Sequence, residues 1–202
     1  MKINILILFC ALSITSTAQT NDEAKTIFGN GKPHLGYFVS PFGQVGKIAG
    51  STAVLPGINA GVIFNNTFTV GASYKFIVTE NTPAGEADDR LYLDQFYAGL
   101  KCEYSILPTK PVHFNLFLEA GLGHTELDLK DAYEFDHFEG SGTNASFFYA
   151  EPGAAIELNL WKYLKLDIGA GYRFASAVTY RSITEKNIMG FTFSGGLKIG
   201  LF

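Results

Sequence analysis

Residues 67–79 read Thr-Phe-Thr-Val-Gly-Ala-Ser-Tyr-Lys-Phe-Ile-Val-Thr, and this stretch is the strongest indication of the fold. Every even position from Phe68 to Val78 is apolar, whereas the odd positions carry Thr, Gly, Ser or Lys, with Ile77 as the exception. A period of two residues is typical of a β-strand that has one apolar face and one polar face. Residues 164–174 repeat the alternation, so the chain is predicted to be built from such strands.

Six other segments fit the same alternation, and their lengths suit strands that cross a membrane at a tilt. The eight predicted strands are Leu35 to Phe42, Val54 to Phe64, Thr67 to Thr79, Leu91 to Ile106, a fifth that begins with Val112 to Leu122, Phe148 to Leu160, Leu164 to Phe174, and Phe191 to Phe202. We therefore predict an all-β fold, an eight-stranded antiparallel up-and-down transmembrane β-barrel.

The connections between these strands alternate in length. The short ones are Asn65-Asn66, Leu107 to Pro111 and Trp161 to Tyr163, and the long ones are Gln44 to Ser51, Glu80 to Arg90, Asp128 to Asn144 and Ala177 to Asn187. Outer-membrane barrels have short periplasmic turns and longer extracellular loops. The pattern therefore predicts four extracellular loops, with both chain ends on the periplasmic side.

The N-terminus has the features of a secretory signal. Lys2 precedes a short apolar run from Ile5 to Ile14, and Ser16-Thr17-Ala18 offers small residues for cleavage before Gln19. The apolar run is shorter than the roughly 20 residues that span a bilayer, although a short anchor or a buried strand is an alternative. The predicted organisation is a signal peptide (1–18), a flexible periplasmic lead-in (19–32) and an outer-membrane barrel (33–202), which places the protein in the bacterial outer membrane.

Composition narrows the function classes. With 18 Phe, 10 Tyr and 22 Gly the chain suits an all-β protein, and a formal net charge of -4 gives no basic field for nucleic acid. Cys10 leaves with the predicted signal peptide, so Cys102 has no partner for an internal disulfide. No motif for a metal or a cofactor is found, and none is expected.

Alternation alone does not say which face points inward, because a soluble lipocalin-like carrier has its apolar face inside and a membrane barrel has it outside. Glycines lie mostly on the polar face, where they leave room in the narrow interior of an eight-stranded barrel. The polar face also carries five charges of each sign, which suits a closed interior. The predicted interior charge network comprises Lys75, Lys101, Glu103, Glu119, Glu151, Glu157, Lys165, Asp167, Arg173 and Lys198.

Aromatic residues gather near the predicted membrane boundaries, as in the aromatic girdles of membrane barrels. The predicted girdles comprise Phe64, Phe68, Phe76, Tyr92, Phe96, Tyr104, Phe114, Phe148, Trp161, Tyr163 and Phe174. Together with the glycines and charges, they favour the membrane barrel.

On these features the chain resembles the small eight-stranded outer-membrane proteins of the OmpX and OmpA transmembrane-domain type. The signal end Ser16-Thr17-Ala18-Gln19 is similar to precursors from Bacteroidota, where such chains are called porin-family proteins. The final Phe202 matches the terminal aromatic of the family, which implies recognition by the barrel-assembly machinery. One departure is that Leu201, Ile199 and Leu197 are apolar while Lys198 and Gly200 share the parity of Phe202.

Some barrels of this type are enzymes, so the histidines are candidates for catalytic chemistry. Lipid A deacylases of this fold carry a His and a Ser two residues apart on the lipid-facing side. His124-Thr125-Glu126 is the nearest match here, with His124 expected to face outward and His113 inward.

The leading hypothesis is a non-enzymatic integral membrane protein with a filled polar interior, in contact with outer-membrane lipids. The barrel would anchor four loops, and the acidic loop 128–144, with Asp131, Glu134 and His137, is the expected contact for an extracellular partner. The alternatives are a lipid A deacylase-like enzyme centred on His124 and the lipocalin-like carrier. A filled interior also predicts little or no conductance.

Overall fold

A computed structural model of the chain describes residues 34–82, 91–129, 145–176, 178–180 and 183–202. The predicted signal peptide and lead-in lie outside these residues, as does most of the acidic loop 128–144. No helix among the described residues is long and apolar enough to cross a membrane.

Eight long antiparallel strands close into a barrel, which confirms the predicted fold class. They are β1 (Leu35–Ile48), β2 (Ser51–Phe64), β3 (Phe68–Phe76), β4 (Leu91–Ile106), β5 (Val112–Leu129), β6 (Ala145–Trp161), β7 (Leu164–Ala175) and β10 (Gly190–Leu201). Between β7 and β10 lie the two-residue strands β8 (Thr179–Tyr180) and β9 (Ile183–Thr184) and the one-turn helix α1 (Glu185–Ile188). The strand order around the barrel is β1-β10-β7-β6-β5-β4-β3-β2, so each long strand pairs with its neighbours along the chain and β10 pairs with β1.

The two ends of the barrel differ in their connections. Tight turns after β2, β4 and β6 lie at one end, which we call the short-turn end, and the first turn is made by Asn65 and Asn66 with φ of 51° and 58°. Asparagine tolerates this left-handed conformation, and the N–H of Thr67 donates to the Phe64 carbonyl at 3.0 Å to close the turn. Leu35 pairs with Phe64 and Tyr37 with Leu201, so both ends of the barrel chain are also here. The opposite end, which we call the loop end, holds the longer connections.

The predicted loop Gln44 to Ser51 is wrong. β1 continues to Ile48, and Ala49 and Gly50 make a two-residue turn with φ of 53° and 81°. The polar and glycine residues after Phe42 suggested a loop, but they keep the strand alternation, and positive φ at both turn positions matches the twist of paired strands. Short and long connections therefore do not alternate strictly, and the loop end has three longer connections rather than four. The fifth strand also runs on to Leu129, beyond the start of the predicted acidic loop.

The apolar face of every long strand points outward. On β4, the side chain of Leu100 is 64% exposed, whereas Lys75 on the adjacent strand β3 points inward and is 0% exposed. From Phe96 to Ile106, the outward side chains of β4 are Phe, Ala, Leu, Cys, Tyr and Ile, over ten residue steps. At about 3.3 Å per residue and a tilt near 40°, this band is about 25 Å tall, which is the height expected of a membrane barrel. An apolar exterior of this height contradicts the lipocalin-like alternative.

Inward aromatic rings lie against glycines on the flanking strands. Phe38 on β1 pairs with Gly61 and Gly200, and Phe42 pairs with Gly57 and Gly196, so each ring has a glycine on both sides. A Cβ at Gly57 would lie 2.6 Å from the Phe42 Cζ, closer than real contacts allow. The inner glycines therefore make room for rings, which fill the narrow lumen.

Candidate functional site: the barrel interior

The structure places all ten predicted interior charges on the inner face; nine of them form two groups, and Asp167 lines the space between the groups. The first, which we call the outer cluster, comprises Lys75, Glu119, Glu151 and Arg173 and lies nearer the loop end. Lys75 Nζ is 3.0 Å from Glu119 Oε1 and 3.2 Å from Glu151 Oε2. Arg173 Nε donates to the same Glu151 oxygen at 3.1 Å. Lys75 on β3 and Glu151 on β6 are three strands apart around the ring, so their ion pair crosses the lumen, whereas Arg173 and Glu151 lie on neighbouring strands.

Polar side chains complete the outer cluster. Gln44 Nε2 donates to Glu151 at 2.6 Å, Thr192 Oγ1 donates to Glu151 at 2.9 Å, and Arg173 Nη2 donates to the Gln44 amide oxygen at 2.6 Å. Tyr149 donates to Glu119 at 2.7 Å. The Arg173 guanidinium also lies 4.6 Å from the ring centroid of Tyr97. Burial of charges is tolerated when hydrogen bonds satisfy both partners in this way.

The second group, the inner cluster, comprises Lys101, Glu103, Glu157, Lys165 and Lys198, nearer the short-turn end. Lys198 Nζ lies 2.8 Å from Glu103 and 2.6 Å from Glu157, and Lys101 lies 2.9 Å from Glu103. Lys165 lies 2.9 Å from Glu157. Each carboxylate therefore has two lysines.

Two further side chains bind Glu157 from β5. His113 is buried, as predicted from its position on the inward face of the strand. Its Nε2 lies 2.9 Å from Glu157 Oε1, and Asn115 donates to the other carboxylate oxygen at 3.0 Å. Sequence reasoning missed Gln44, Tyr97 and Asn115 as members of the interior network, although their inward parity could have indicated them.

A cavity of about 20 Å³ lies between the two clusters. Asp167, Asn59 and Lys101 are among the residues that line it. This volume suits about one water molecule. The described part of the lumen is therefore filled by side chains at this level, rather than forming an open pore.

The loop end of the interior is apolar, which corrects the prediction of a uniformly polar interior. Inward side chains of the wall and residues of the β7–β10 connection form one buried cluster there. It comprises Ile48, Ala49, Ala53, Leu55, Ile77, Leu93, Tyr97, Phe147, Tyr149, Val178, Ile183 and Ile188. Sequence reasoning missed it because Leu55 and Leu93, although inside predicted strands, are apolar residues on the face that was predicted to be polar.

The predicted girdle residues that belong to strands lie on outward positions, and Tyr163 lies in the turn after β6. Trp161 is the most exposed of them at 78%, and Phe148 follows at 68%. Phe64, Phe68 and Tyr92 are half-buried. At the short-turn end Lys162 Nζ lies 5.1 Å from the ring centroid of Tyr163, a pairing that suits a boundary between lipid and water.

Phe202 does not continue the outward face of β10. Leu201 is exposed outside the barrel, whereas the ring of Phe202 turns inward and lies 4.2 Å from Lys165 Nζ at the short-turn mouth. The parity departure seen in the sequence therefore corresponds to a real difference in direction between the last two side chains.

His124 lies outside the barrel, toward the loop end, as its parity predicted. Its Nδ1 is 3.2 Å from the Oγ of Ser146, which stands opposite it on β6, and its ring stacks on Phe96 at 5.0 Å between centroids. The sequence search for a His and a Ser two residues apart could not find this pair, because the two residues are 22 positions apart. Among the residues that the structure describes, no group of three or more His, Cys, Asp and Glu side chains is placed to hold a metal ion.

Solved structures of bacterial surface proteins resemble this barrel. Neisserial surface protein A is 13% identical, with 84% of this chain and 99% of that chain covered at a TM-score of 0.58. A major outer membrane protein from Thermus thermophilus is 8% identical, with 83% and 100% covered and a TM-score of 0.55. Ail, the attachment invasion locus protein of Yersinia pestis, solved with the heparin analogue sucrose octasulfate, is 15% identical, with 85% and 100% covered and a TM-score of 0.50.

At these identities the likeness extends to the fold. No curated protein matches the chain in sequence. The family model of the outer membrane protein beta-barrel domain, however, matches residues 7–199. The chain therefore belongs to the outer membrane protein beta-barrel family, and its place is the bacterial outer membrane.

Proposed function

We propose that the protein is a non-enzymatic outer-membrane anchor, whose rigid barrel holds its longer connections at the cell surface. The observation that supports this proposal is the bridged lumen: two ion-paired clusters cross it, and about 20 Å³ of space lies between them. A lumen filled in this way suits a scaffold better than a channel. The connection 130–144 is the longest and carries four acidic side chains, so it is the proposed contact for an extracellular partner.

An epitope insertion tests the display of this connection. A short epitope placed between residues 137 and 138 should bind antibody on intact cells. The matched control carries the same epitope between Asn65 and Asn66, in a short turn that should be reached only after the outer membrane is permeabilised. Equal binding to the two variants on intact cells would contradict the proposed orientation. Planar bilayer recordings test the scaffold role, and large stable single-channel steps from the native protein would contradict it.

A second candidate function rests on the contact between His124 and Ser146. A histidine nitrogen within hydrogen-bond reach of a serine hydroxyl can take its proton as the oxygen attacks an ester carbonyl. The alkoxide of the lipid would leave, an acyl-serine would form, and water would then release the fatty acid. The outward position of the pair, beside Phe96 and one outward position beyond Phe148, would give it access to ester groups of outer-leaflet lipids.

Lipid mass spectra separate the two candidates. Cells that carry the native gene and cells that carry Ser146→Ala or His124→Ala should have the same lipid profile if the protein is only an anchor. Loss of a deacylated species in both variants would favour the enzyme. Thr52→Ala is the control, because Thr52 is an exposed hydroxyl at the loop end of β2.

A further inference from the structure

The connection between β7 and β10 turns back into the mouth of the barrel. Its described residues, 178–180 and 183–188, form a segment that we call the plug. Val178 and Ile183 are each 1% exposed and Ile188 is fully buried. All three side chains pack in the apolar cluster at the loop end.

The wall beneath the plug is largely apolar where a barrel mouth would otherwise meet water, and its buried polar side chains Gln95 and Thr125 are hydrogen-bonded to each other at 3.1 Å. Ile48, Leu55 and Leu93 point inward from β1, β2 and β4, and all three are 0% exposed. Apolar side chains at an open mouth would lose the burial that stabilises them. The apolar wall and the apolar side of the plug therefore depend on each other.

The plug has a polar side that remains in contact with solvent. Thr184 and Lys186 are exposed, while Ile183 and Ile188 beside them are buried. Asn187 shapes this turn, because its side-chain oxygen accepts hydrogen bonds at 2.9 Å from the backbone N–H and the hydroxyl of Thr184. The segment is thus amphipathic across a single turn.

The plug joins the wall differently from the way the strands join each other. Ala49 N–H donates to the Asn187 carbonyl at 2.7 Å, and β8 and β9 pair with each other at two positions. By contrast, β4 and β5 pair at every position from Leu91 to Ile106. A segment held mainly by three buried side chains opens at a lower free energy than a long ladder of strands.

We propose that the plug is an apolar gate, whose local opening controls the access of water and ionic solutes from the cell exterior to the inner wall at the loop end. When it is closed, it separates the outer cluster, with Arg173 and Gln44, from the extracellular side. The ion pairs are then separated from the external solvent. The opening of the gate, rather than the clusters, sets the rate at which solutes from outside reach the inner wall.

Thiol labelling of the folded protein in vesicles tests the gate. In a Cys102→Ala background, Leu55→Cys places a thiol beneath the plug, and Thr52→Cys places one on the exposed side of the same strand. A charged, membrane-impermeant thiol reagent should label Thr52→Cys quickly in every background. It should label Leu55→Cys slowly with the native plug and at least ~10-fold faster with Ile183→Ser and Ile188→Ser together, because their buried contacts are lost.

Two controls keep the result decisive. Lys186→Ser changes an exposed residue of the same turn and should leave the slow labelling of Leu55→Cys unchanged. Heat-modifiable gel migration identifies the folded barrel, and Ile183→Ser alone replaces the double variant if that variant does not fold. Fast labelling of Leu55→Cys with the native plug, or slow labelling after the plug substitutions in a folded barrel, would overturn the proposal.

Discussion

Lys198 and Glu103 join two strands that lie opposite each other in the barrel. β10 and β4 are four strands apart in either direction around the ring, yet Lys198 Nζ lies 2.8 Å from Glu103 Oε2. This ion pair therefore crosses the full width of the lumen. A barrel that can be bridged by one lysine and one glutamate has no room for an open channel at that level.

The first prediction concerns this pair. Lys198→Met leaves the carboxylates of Glu103 and Glu157 with one lysine fewer, and removing one partner of a buried ion pair costs about 3–5 kcal/mol. The urea midpoint of folding in lipid vesicles should fall accordingly. Lys110→Met, on an exposed turn, should leave the midpoint unchanged.

A double variant separates the pair from its surroundings. Glu103→Gln combined with Lys198→Met should destabilise the barrel by less than the sum of the two single changes, because the unpaired carboxylate has been removed. Strict additivity would show that the two residues contribute independently.

The second prediction compares two neighbouring glycines. In Gly57→Ala the new Cβ would lie 2.6 Å from the Phe42 ring and 2.6 Å from the Tyr74 carbonyl oxygen, so crowding should cost about 1–3 kcal/mol. Gly43 points outward with nothing within 4 Å of a Cβ, and Gly43→Ala should change stability by less than about 0.5 kcal/mol. Equal losses in the two urea titrations would contradict the packing of rings against inner glycines.

The third prediction tests the membrane-facing surface by depth. Leu100 is exposed near the middle of the apolar band, and Leu100→Arg should cost about 2–4 kcal/mol of folding free energy in a bilayer. Val112 is exposed at the short-turn end, where Val112→Arg should cost about 0–1 kcal/mol. Folding titrations in vesicles measure both. If Val112→Arg proved the costlier change, the position of the band would be wrong.

The fourth prediction concerns Phe202. Its ring contacts Lys165 at the mouth and not the lipid, so Phe202→Ala should fold into vesicles with nearly native stability. In cells the same variant should yield less folded barrel, since the terminal aromatic is the expected recognition signal for assembly. Leu201→Ala, which changes the neighbouring outward residue, is the matched control. If Phe202→Ala lowered the stability of the purified protein but left the amount of folded barrel in cells unchanged, the result would argue against a role of Phe202 in assembly.

The alternation of apolar and polar residues was sufficient to predict most of the fold from the sequence. Because successive side chains of a strand point to opposite faces, alternation placed Lys75 and Tyr74 on different faces of β3, and the glycines and balanced charges then indicated that the face with Lys75 points inward. The same rule placed His113 inside and His124 outside. It needs no knowledge of which strands are neighbours, and this is why it succeeded before any contact was known.

Features that depend on contacts between strands could not be read in this way. Ser146 meets His124 only because β5 and β6 pair in one particular register. The turn at Ala49 was missed because alanine gives no signal for a left-handed φ. The apolar loop end was missed because the plug folds back over it, and that packing has no local pattern in the sequence.

The rings of Phe38 and Phe42 also determine how the barrel closes. β1 meets β10, its most distant partner along the chain, and a shift of their pairing by two residues would keep every side chain on its own face. Such a shift would exchange Gly196 beside Phe42 for Ser194 or Lys198, and a ring would then collide with a side chain. Gly196 and Gly200 beside these two rings therefore allow only one stagger between the first and last strands, while Gly57 and Gly61 restrict the pairing of β1 with β2 in the same way. Since stagger and strand number together set the diameter of a barrel, this restriction on the pairing of β1 with β10 also sets the diameter of this barrel.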